Sequence, residues 1–148
     1  MEIAILALGC FWGPEIKFSK LNGVVRTEVG YCGGSLSETN YEEVCSGKTN
    51  HAEVVKIEFD NSKISYEKIL NHFFEIHNPT TLNEQGPDVG TQYRSEIFYL
   101  DNSQKKTAEN ILEKHNKKYN GKIVTLISKI NNYCKAEHYH QKYLEKKL

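Results

Sequence analysis

Ile3-Ala4-Ile5-Leu6-Ala7-Leu8-Gly9-Cys10-Phe11-Trp12-Gly13-Pro14-Glu15 carries the first structural decision of this chain. The apolar run from Ile3 to Leu8 has the length of a buried strand. Pro14 suits a first helical position, so Cys10 is expected where a strand turns into a helix. Outward from that turn, Val24 to Tyr31 and Ala52 to Phe59 read as further strands, with β-branched residues in partial alternation. Gly30-Tyr31-Cys32-Gly33-Gly34 closes the first of them. Ile64, Leu70, Phe73, Phe74 and His77 recur at spacings near three and four, which predicts a helix over 64–77 with Ser65 as its cap. Glu96 to Leu100 reads as a strand. Asp101-Asn102-Ser103 opens a helix to about Lys118, Ile123 to Ile127 forms a strand, and Ala136 to Lys147 a final helix. Strands alternating with helices predict an α+β chain, a two-layer α/β sandwich whose βαβ…βαβ order fits a ferredoxin-like core with additional loops.

Composition bounds the rest. With 148 residues, 39% of them hydrophobic and 26% charged, the chain is ordinary for one globular domain. No repeat or interdomain linker divides residues 1–148. Nineteen basic residues balance nineteen acidic ones. No overall charge therefore draws the chain to nucleic acid, an anionic membrane or an acidic partner, and recognition must be local. The lysines crowding the C-terminus, Lys142, Lys146 and Lys147, suit the negative pole of a helix. Cys10, Cys32, Cys45 and Cys134 show neither C-x-x-C nor zinc-ligand spacing, so a reducing, cytoplasmic setting is expected. Leu8-Gly9-Cys10 is not a lipoprotein signal, because no Lys or Arg precedes it and its apolar run is too short. No stretch has the apolar length of a transmembrane helix. His72, His77, His138 and His140 with Cys134 do not share one helix face. No metal or other cofactor is expected, and these histidines read as surface or packing residues.

Chemistry collects in a few segments. At the start of a helix, unpaired N–H groups and the dipole lower a thiol pKa, which favours thiolate at Cys10. Phe11 and Trp12 give the same turn an apolar surface able to grip a small apolar group. A buried structural cysteine beside two core aromatics fits that segment as well. Glu53 stands before Val54 and Val55. It is either the polar side of an alternating strand or a buried carboxyl whose raised pKa would make it a general acid. The stretch from His77 to Tyr93, punctuated by Pro and Gly, is long for a connection in a compact domain and is expected to form part of a site. Arg94 fits a pair with Asp88 or Glu53 as well as it fits a plain surface position. Tyr31, Tyr139 and Tyr143 read as packing residues with wet hydroxyls.

Gly-Cys-Phe-Trp-Gly at 9–13, Val-Gly-Tyr at 29–31, Tyr-Glu-Glu-Val-Cys-Ser-Gly at 41–47, His-Ala-Glu-Val-Val at 51–55 and Gly-Thr-Gln-Tyr-Arg-Ser at 90–95 follow one another over most of the chain. In that order they resemble the A-type peptide methionine sulfoxide reductases, with Ala136 to Gln141 a looser match to the family's last helix. The resemblance implies that Cys10 attacks the sulfoxide sulfur and that Glu53 protonates the oxygen. The hydroxyls of Tyr41 and Tyr93 would hydrogen-bond that oxygen, Phe11 and Trp12 would hold the methyl group, and Asp88 would contact the substrate's main chain. An apolar wall for methyl opposite a polar pocket for oxygen distinguishes the two epimers, as the family does in favour of the S form.

Attack leaves a sulfenic acid on Cys10, which a thiol must reduce. Many relatives carry resolving cysteines on a Gly-rich tail after the last helix, and the sequence to Leu148 shows none. Cys32 and Cys134 are the candidate internal resolving thiols, and Cys45 is expected to pack inside its helix. An external thioredoxin or glutaredoxin is the expected reductant. Two other readings use the same residues. A thiol peroxidase or redox sensor would share the thiol but needs no tyrosine pair or aromatic wall, and a non-enzymatic peptide-binding module would keep its affinity without Cys10.

Overall fold

The computed structural model describes residues 1–147. In chain order the elements are β1 (Glu2–Leu8), α1 (Trp12–Ser19), β2 (Val24–Cys32), α2 (Tyr41–Cys45), β3 (Ala52–Phe59), α3 (Tyr66–Glu75), β4 (Glu84–Gln85) and β5 (Asp88–Val89). They continue with β6 (Ser95–Tyr99), α4 (Asn102–Lys118), β7 (Leu126–Lys129), β8 (Cys134–Lys135) and α5 (Tyr143–Lys146). Among the described residues this is an α+β fold on one mixed six-stranded sheet, in the order β7-β6-β1-β3-β2-β8. β1 pairs antiparallel with β3 and β6, β2 lies antiparallel to β3 and β8, and only β6 and β7 run parallel.

The alternation of β1 explains its unbroken apolar run. Ala4, Leu6 and Leu8 face the side where α1, α3 and α4 contribute Phe18, Ile69, Phe73 and Ala108. Ile5 and Ala7 face the other side with Val54 and Phe98, and Ile130 and Tyr133 of the β7–β8 connection pack over them. A strand covered on both faces has no reason to alternate with polar residues. In β3, Val55, Ile57 and Phe59 lie on the helix side, which puts Glu53 at the end of that same stripe. No described helix is long and apolar enough to cross a membrane.

Local signals hold where side chains cap backbone. Ser65 accepts from Lys68 N–H, Asp101 from Gln104 N–H and Asn40 from Glu43 N–H, each at the start of a helix. α1 begins at Trp12, so Pro14 occupies its third position, still within the first turn where a missing N–H costs nothing. α3 stops at Glu75, and His77 lies beyond it. The strand expected over 123–127 starts later, at Leu126. Ile123 N–H is taken by Asn116 Oδ1 at 2.9 Å and Val124 N–H by the Pro79 carbonyl at 2.8 Å, so neither can join the sheet.

The final helix expected over 136–147 is instead a 3-10 turn, His138–His140, a left-handed residue, Lys142 at φ 54°, and the short α5. Its polar groups are pinned across the fold. Glu137 accepts from the Tyr31 hydroxyl and from Tyr41 N–H, at 2.8 and 2.9 Å. Gln141 accepts from Val29 N–H at 2.9 Å and donates to the Val29 carbonyl at 2.8 Å. Lys142 N–H donates to the buried Glu15 carboxylate at 2.7 Å. A single helix could not present these groups to β2, α2 and α1 together.

Candidate active site

The turn after β1 places the thiol. Gly9 sits at φ 97°, and a Cβ there would meet the Gln85 side chain at 2.8 Å, so the 77–93 connection packs directly on the residue preceding Cys10. Cys10 is half-buried between β1 and α1, with the Trp12 backbone N–H hydrogen-bonded to it. That contact is the expected helix-start effect, and it does lower the thiol pKa. Burial outweighs it, with Glu53, Asp88 and Cys45 acting in the same direction, and Cys10 is pushed up to about 11. Burial thus overrides the helix-start preference for thiolate, and of the two forms open to Cys10, thiolate or a thiol that loses its proton during attack, the thiol is favoured.

Glu53 is 1% exposed. Its Oε1 accepts from Phe11 N–H at 3.3 Å, while Oε2 is buried with no hydrogen-bond partner among the described residues. Burial pushes its pKa up to about 8, against the lowering effect of the Phe11 N–H and with help from Asp88. Of the two readings left open by the sequence, the buried carboxyl is the one that holds. A group that is protonated at neutral pH and has one oxygen unsatisfied can give a proton to a ligand oxygen in this space.

Two hydroxyls lie in its field. Tyr93, at the end of a 3-10 turn over Thr91–Tyr93, is pushed up to about 12 by burial and then by Glu53, Cys45, Asp88 and Cys10. Tyr41, the first residue of α2, is raised by burial and by a hydrogen bond to Cys45. Both stay neutral donors near pH 7. Asp88, half-buried at the start of β5, is close enough to act on Cys10, Glu53 and Tyr93. The structure thus brings Cys10, Glu53, Tyr41, Tyr93 and Asp88 into one electrostatically coupled group, drawn from four separate segments.

Phe11 is buried and Trp12 half-exposed. Phe11 packs at 5.8 Å from the Tyr31 ring, and Trp12 stacks on Tyr143 at 3.9 Å with 15° between planes. Tyr31 is not the wet packing residue expected, because its side chain is wholly buried and its hydroxyl donates to Glu137, whereas the half-buried Tyr143 packs as expected. His140, read from the sequence as a surface or packing residue, accepts from Trp12 Nε1–H at 3.1 Å. The signal for Glu137 and His140 in the sequence was only their place in the looser Ala136–Gln141 match.

The other thiols divide clearly. Cys32 is wholly buried on the far face of the sheet, where it donates to the Asn131 carbonyl at 3.2 Å. Cys134 is half-buried and directed at the Thr39 carbonyl. Cys45 does not pack inside its helix. It is exposed at the end of α2, close to the Tyr41 hydroxyl and the Gln92 side chain, and burial raises its pKa above that of a free thiol. Arg94 pairs with neither Asp88 nor Glu53. It is buried against Glu96, Nε to Oε1 at 2.7 Å, and also donates to the Thr91 carbonyl, which fixes the 3-10 turn carrying Tyr93. Among the described residues no group of His, Cys, Asp and Glu is placed to hold a metal ion.

Comparison with known proteins gives a consistent result. The family model for peptide methionine sulfoxide reductase matches residues 2–148. The chain is 67% identical over 147 residues to the peptide methionine sulfoxide reductase MsrA of Pelagibacter ubique, covering 99% of this chain and all of that one. Among solved structures, reduced Mxr1 from Saccharomyces cerevisiae superposes with a TM-score of 0.94 at 40% identity, over 98% of this chain and 84% of the other. Mxr1 in complex with Trx2 matches at a TM-score of 0.69 and 28% identity, over 96% and 84%.

Proposed function

The chain belongs to the peptide methionine sulfoxide reductase family and reduces methionine-S-sulfoxide to methionine, and from this premise we propose how its own residues carry the reaction. The observation that carries the reading is Glu53, a buried protonated carboxyl with a free oxygen beside the turn that bears Cys10. Cys10 Sγ attacks the sulfoxide sulfur and loses its thiol proton as the new bond forms. Glu53 delivers a proton to the sulfoxide oxygen, and the Tyr41 and Tyr93 hydroxyls donate to the same oxygen as negative charge builds there. In the net change oxygen passes from the thioether sulfur to Cys10. The sulfoxide is reduced by two electrons and Cys10 becomes a sulfenic acid.

Phe11 and Trp12 hold the methyl group, and Asp88, at the rim, contacts the main chain of a peptide-bound substrate. The methyl wall and the oxygen-binding pair lie on different elements, α1 against α2 and the 3-10 turn, so inverting the sulfur would exchange methyl and oxygen between unlike surfaces. The strand order β6-β1-β3-β2, with α1 after β1 and α3 after β3, supports reading the centre of the single domain as a ferredoxin-like core in a two-layer sandwich, with β7, β8 and the 77–93 connection as additions.

An external dithiol of the thioredoxin or glutaredoxin type reduces Cys10, two thiols giving one disulfide and one water. The complex of Mxr1 with Trx2 supports this choice for a related fold. Cys32, on the far face, and Cys134, turned to Thr39, are poorly placed to resolve the sulfenic acid first. A single turnover of fully reduced protein with each epimer of N-acetyl-methionine sulfoxide tests the scheme. One thiol lost per methionine formed, from the S epimer alone, is expected. Two thiols lost would replace direct external reduction with an internal disulfide, and Cys45 would be the first partner to examine. Full activity in Glu53→Gln would remove Glu53 from the role of acid.

A further inference from the structure

We propose that His140 is a positioning residue for the substrate's methyl group, fixing the Trp12 indole so that one face of it forms the methyl-binding wall; this rests on the reading of Trp12 given above. Trp12 lies in the first turn of α1 and is half-exposed, so packing alone does not settle its side-chain torsions. Two contacts settle them. Tyr143 stacks on the indole at 3.9 Å and covers one face. His140 Nδ1 accepts from the indole Nε1–H at 3.1 Å and fixes rotation within the plane. Trp12 remains half-exposed with Tyr143 on one face, so in the proposed reading the opposite face receives the methyl group.

The surroundings of His140 explain why the residue is histidine. It is 2% exposed, and its ring lies 5.3 Å from that of Phe11, 4.6 Å from Tyr41 and 4.1 Å from Tyr139. Apolar and aromatic contacts of this kind would suit phenylalanine or leucine. Histidine carries a cost there, because accepting at Nδ1 places the ring proton on Nε2, which is buried without a partner among the described residues. What it supplies in return is a lone pair aimed at Trp12. Burial favours the neutral ring, the form that keeps this lone pair, and Glu137 pulls in the opposite direction without reversing it. The segment is anchored independently of the indole by Glu137 to Tyr31 and Tyr41 and by Lys142 to Glu15, so His140 can hold Trp12 instead of following it.

Trp12 is the chain's only tryptophan, so its emission reports this contact without interference. His140→Leu keeps an apolar filling and removes the acceptor, while His140→Asn places an amide oxygen near the former Nδ1. For the S sulfoxide, His140→Leu is expected to raise KM about tenfold with kcat changed by less than about twofold, the effect of one lost hydrogen bond. Trp12 emission should move to the red and its anisotropy should fall. His140→Asn should recover most of both. Parent-like KM and emission in folded His140→Leu would overturn the proposal, as would a His140→Asn variant no better than His140→Leu. Should His140→Leu not fold, the ultraviolet resonance Raman band of the indole N–H in the parent decides between a bonded donor, as expected, and a free one, which would overturn it. Trp12→Leu separates the two readings. An unchanged KM there would remove the methyl wall and the proposal with it, whereas a raised KM beside a silent His140→Leu would remove the proposal alone.

Discussion

A carboxyl that must donate a proton at neutral pH has to be kept from ionising, and Glu53 is kept so by burial, its pKa lying at about 8 instead of 4.5. The rate should follow that titration. kcat/KM is expected to be level from mildly acidic pH to about 8 and then to fall as Glu53 loses its proton, with Glu53→Gln slower by about 10²- to 10⁴-fold and lacking the fall. A parent profile rising through pH 8 would show that ionised Glu53 is the active form. Stability should carry the same signature with its own sign. The folded pKa is raised, so the unfolded chain releases this proton near pH 4.5 and the folded chain only near 8. The carboxyl's contribution is therefore complete below about 4.5 and is lost as pH rises to about 8, on the order of 5 kcal/mol in all. Urea unfolding of Glu53→Gln and parent at a series of pH values should show the variant gaining on the parent across that window and no further. A constant gap would mean that Glu53 is not protonated in the fold. Cys10, at about 11, gives no matching inflection near neutrality, because its proton leaves during attack instead of before it.

The strap from Glu137 to Lys142 ties β2, α2 and α1 to one another. Its firmest anchor is Glu15, 2% exposed, which accepts from Lys142 N–H at 2.7 Å and the Thr27 hydroxyl at 3.0 Å. Those bonds also hold Lys142 in its left-handed conformation at φ 54°, which costs a non-glycine residue on the order of 1 kcal/mol. Glu15→Ala should lower unfolding stability by about 3 kcal/mol, since it leaves two donors unpaired, and should raise hydrogen exchange across 138–147 before the rest of the chain. Exchange rising evenly everywhere would mean that the strap is not a separate unit. The strap is also where the sequence was least legible. Periodicity at Ala136 to Lys147 predicts a helix, yet Glu137, Gln141 and Lys142 each bond a residue more than a hundred positions away, and no local pattern encodes such partners. Ile123 and Val124 misled in the same way, their N–H groups taken by Asn116 and Pro79. Strand β3 and the capped starts of α3 and α4 were legible because the apolar stripes and the caps at Ser65 and Asp101 are local. At the site the residue types could be read, but the state of Cys10 could not, because it depends on burial that only the assembled fold sets against the Trp12 N–H.

Taken whole, the chain carries no formal net charge with its histidines neutral, and the fold keeps most of those histidines neutral. His51, His72, His77, His115 and His140 all have lowered pKa values, burial being the first cause in each. His77 is the furthest displaced, at about 4, where its ring bridges the Phe73 carbonyl at 2.6 Å and the Ser95 hydroxyl at 2.8 Å between α3 and β6. Its folded pKa is depressed, so between about 6.5 and 4 the unfolded chain binds a proton that the folded chain refuses. Stability present above 6.5 is lost through that window, by about 3 kcal/mol for His77 alone. Glu53 acts in the opposite sense from 8 down to 4.5, so the two slopes offset each other over their common range and the parent's acid limb is blunted. Glu53→Gln removes the compensation. Its unfolding midpoint in urea should begin to fall as soon as the pH drops below about 6.5, while the parent holds nearly level to about 5. His77→Asn should be weaker than the parent at pH 7 through the lost Ser95 contact, yet flatter toward acid, and in Glu53→Gln/His77→Asn the early decline should be smaller than in Glu53→Gln. A double variant as acid-sensitive as Glu53→Gln would assign the acid limb to the other four histidines.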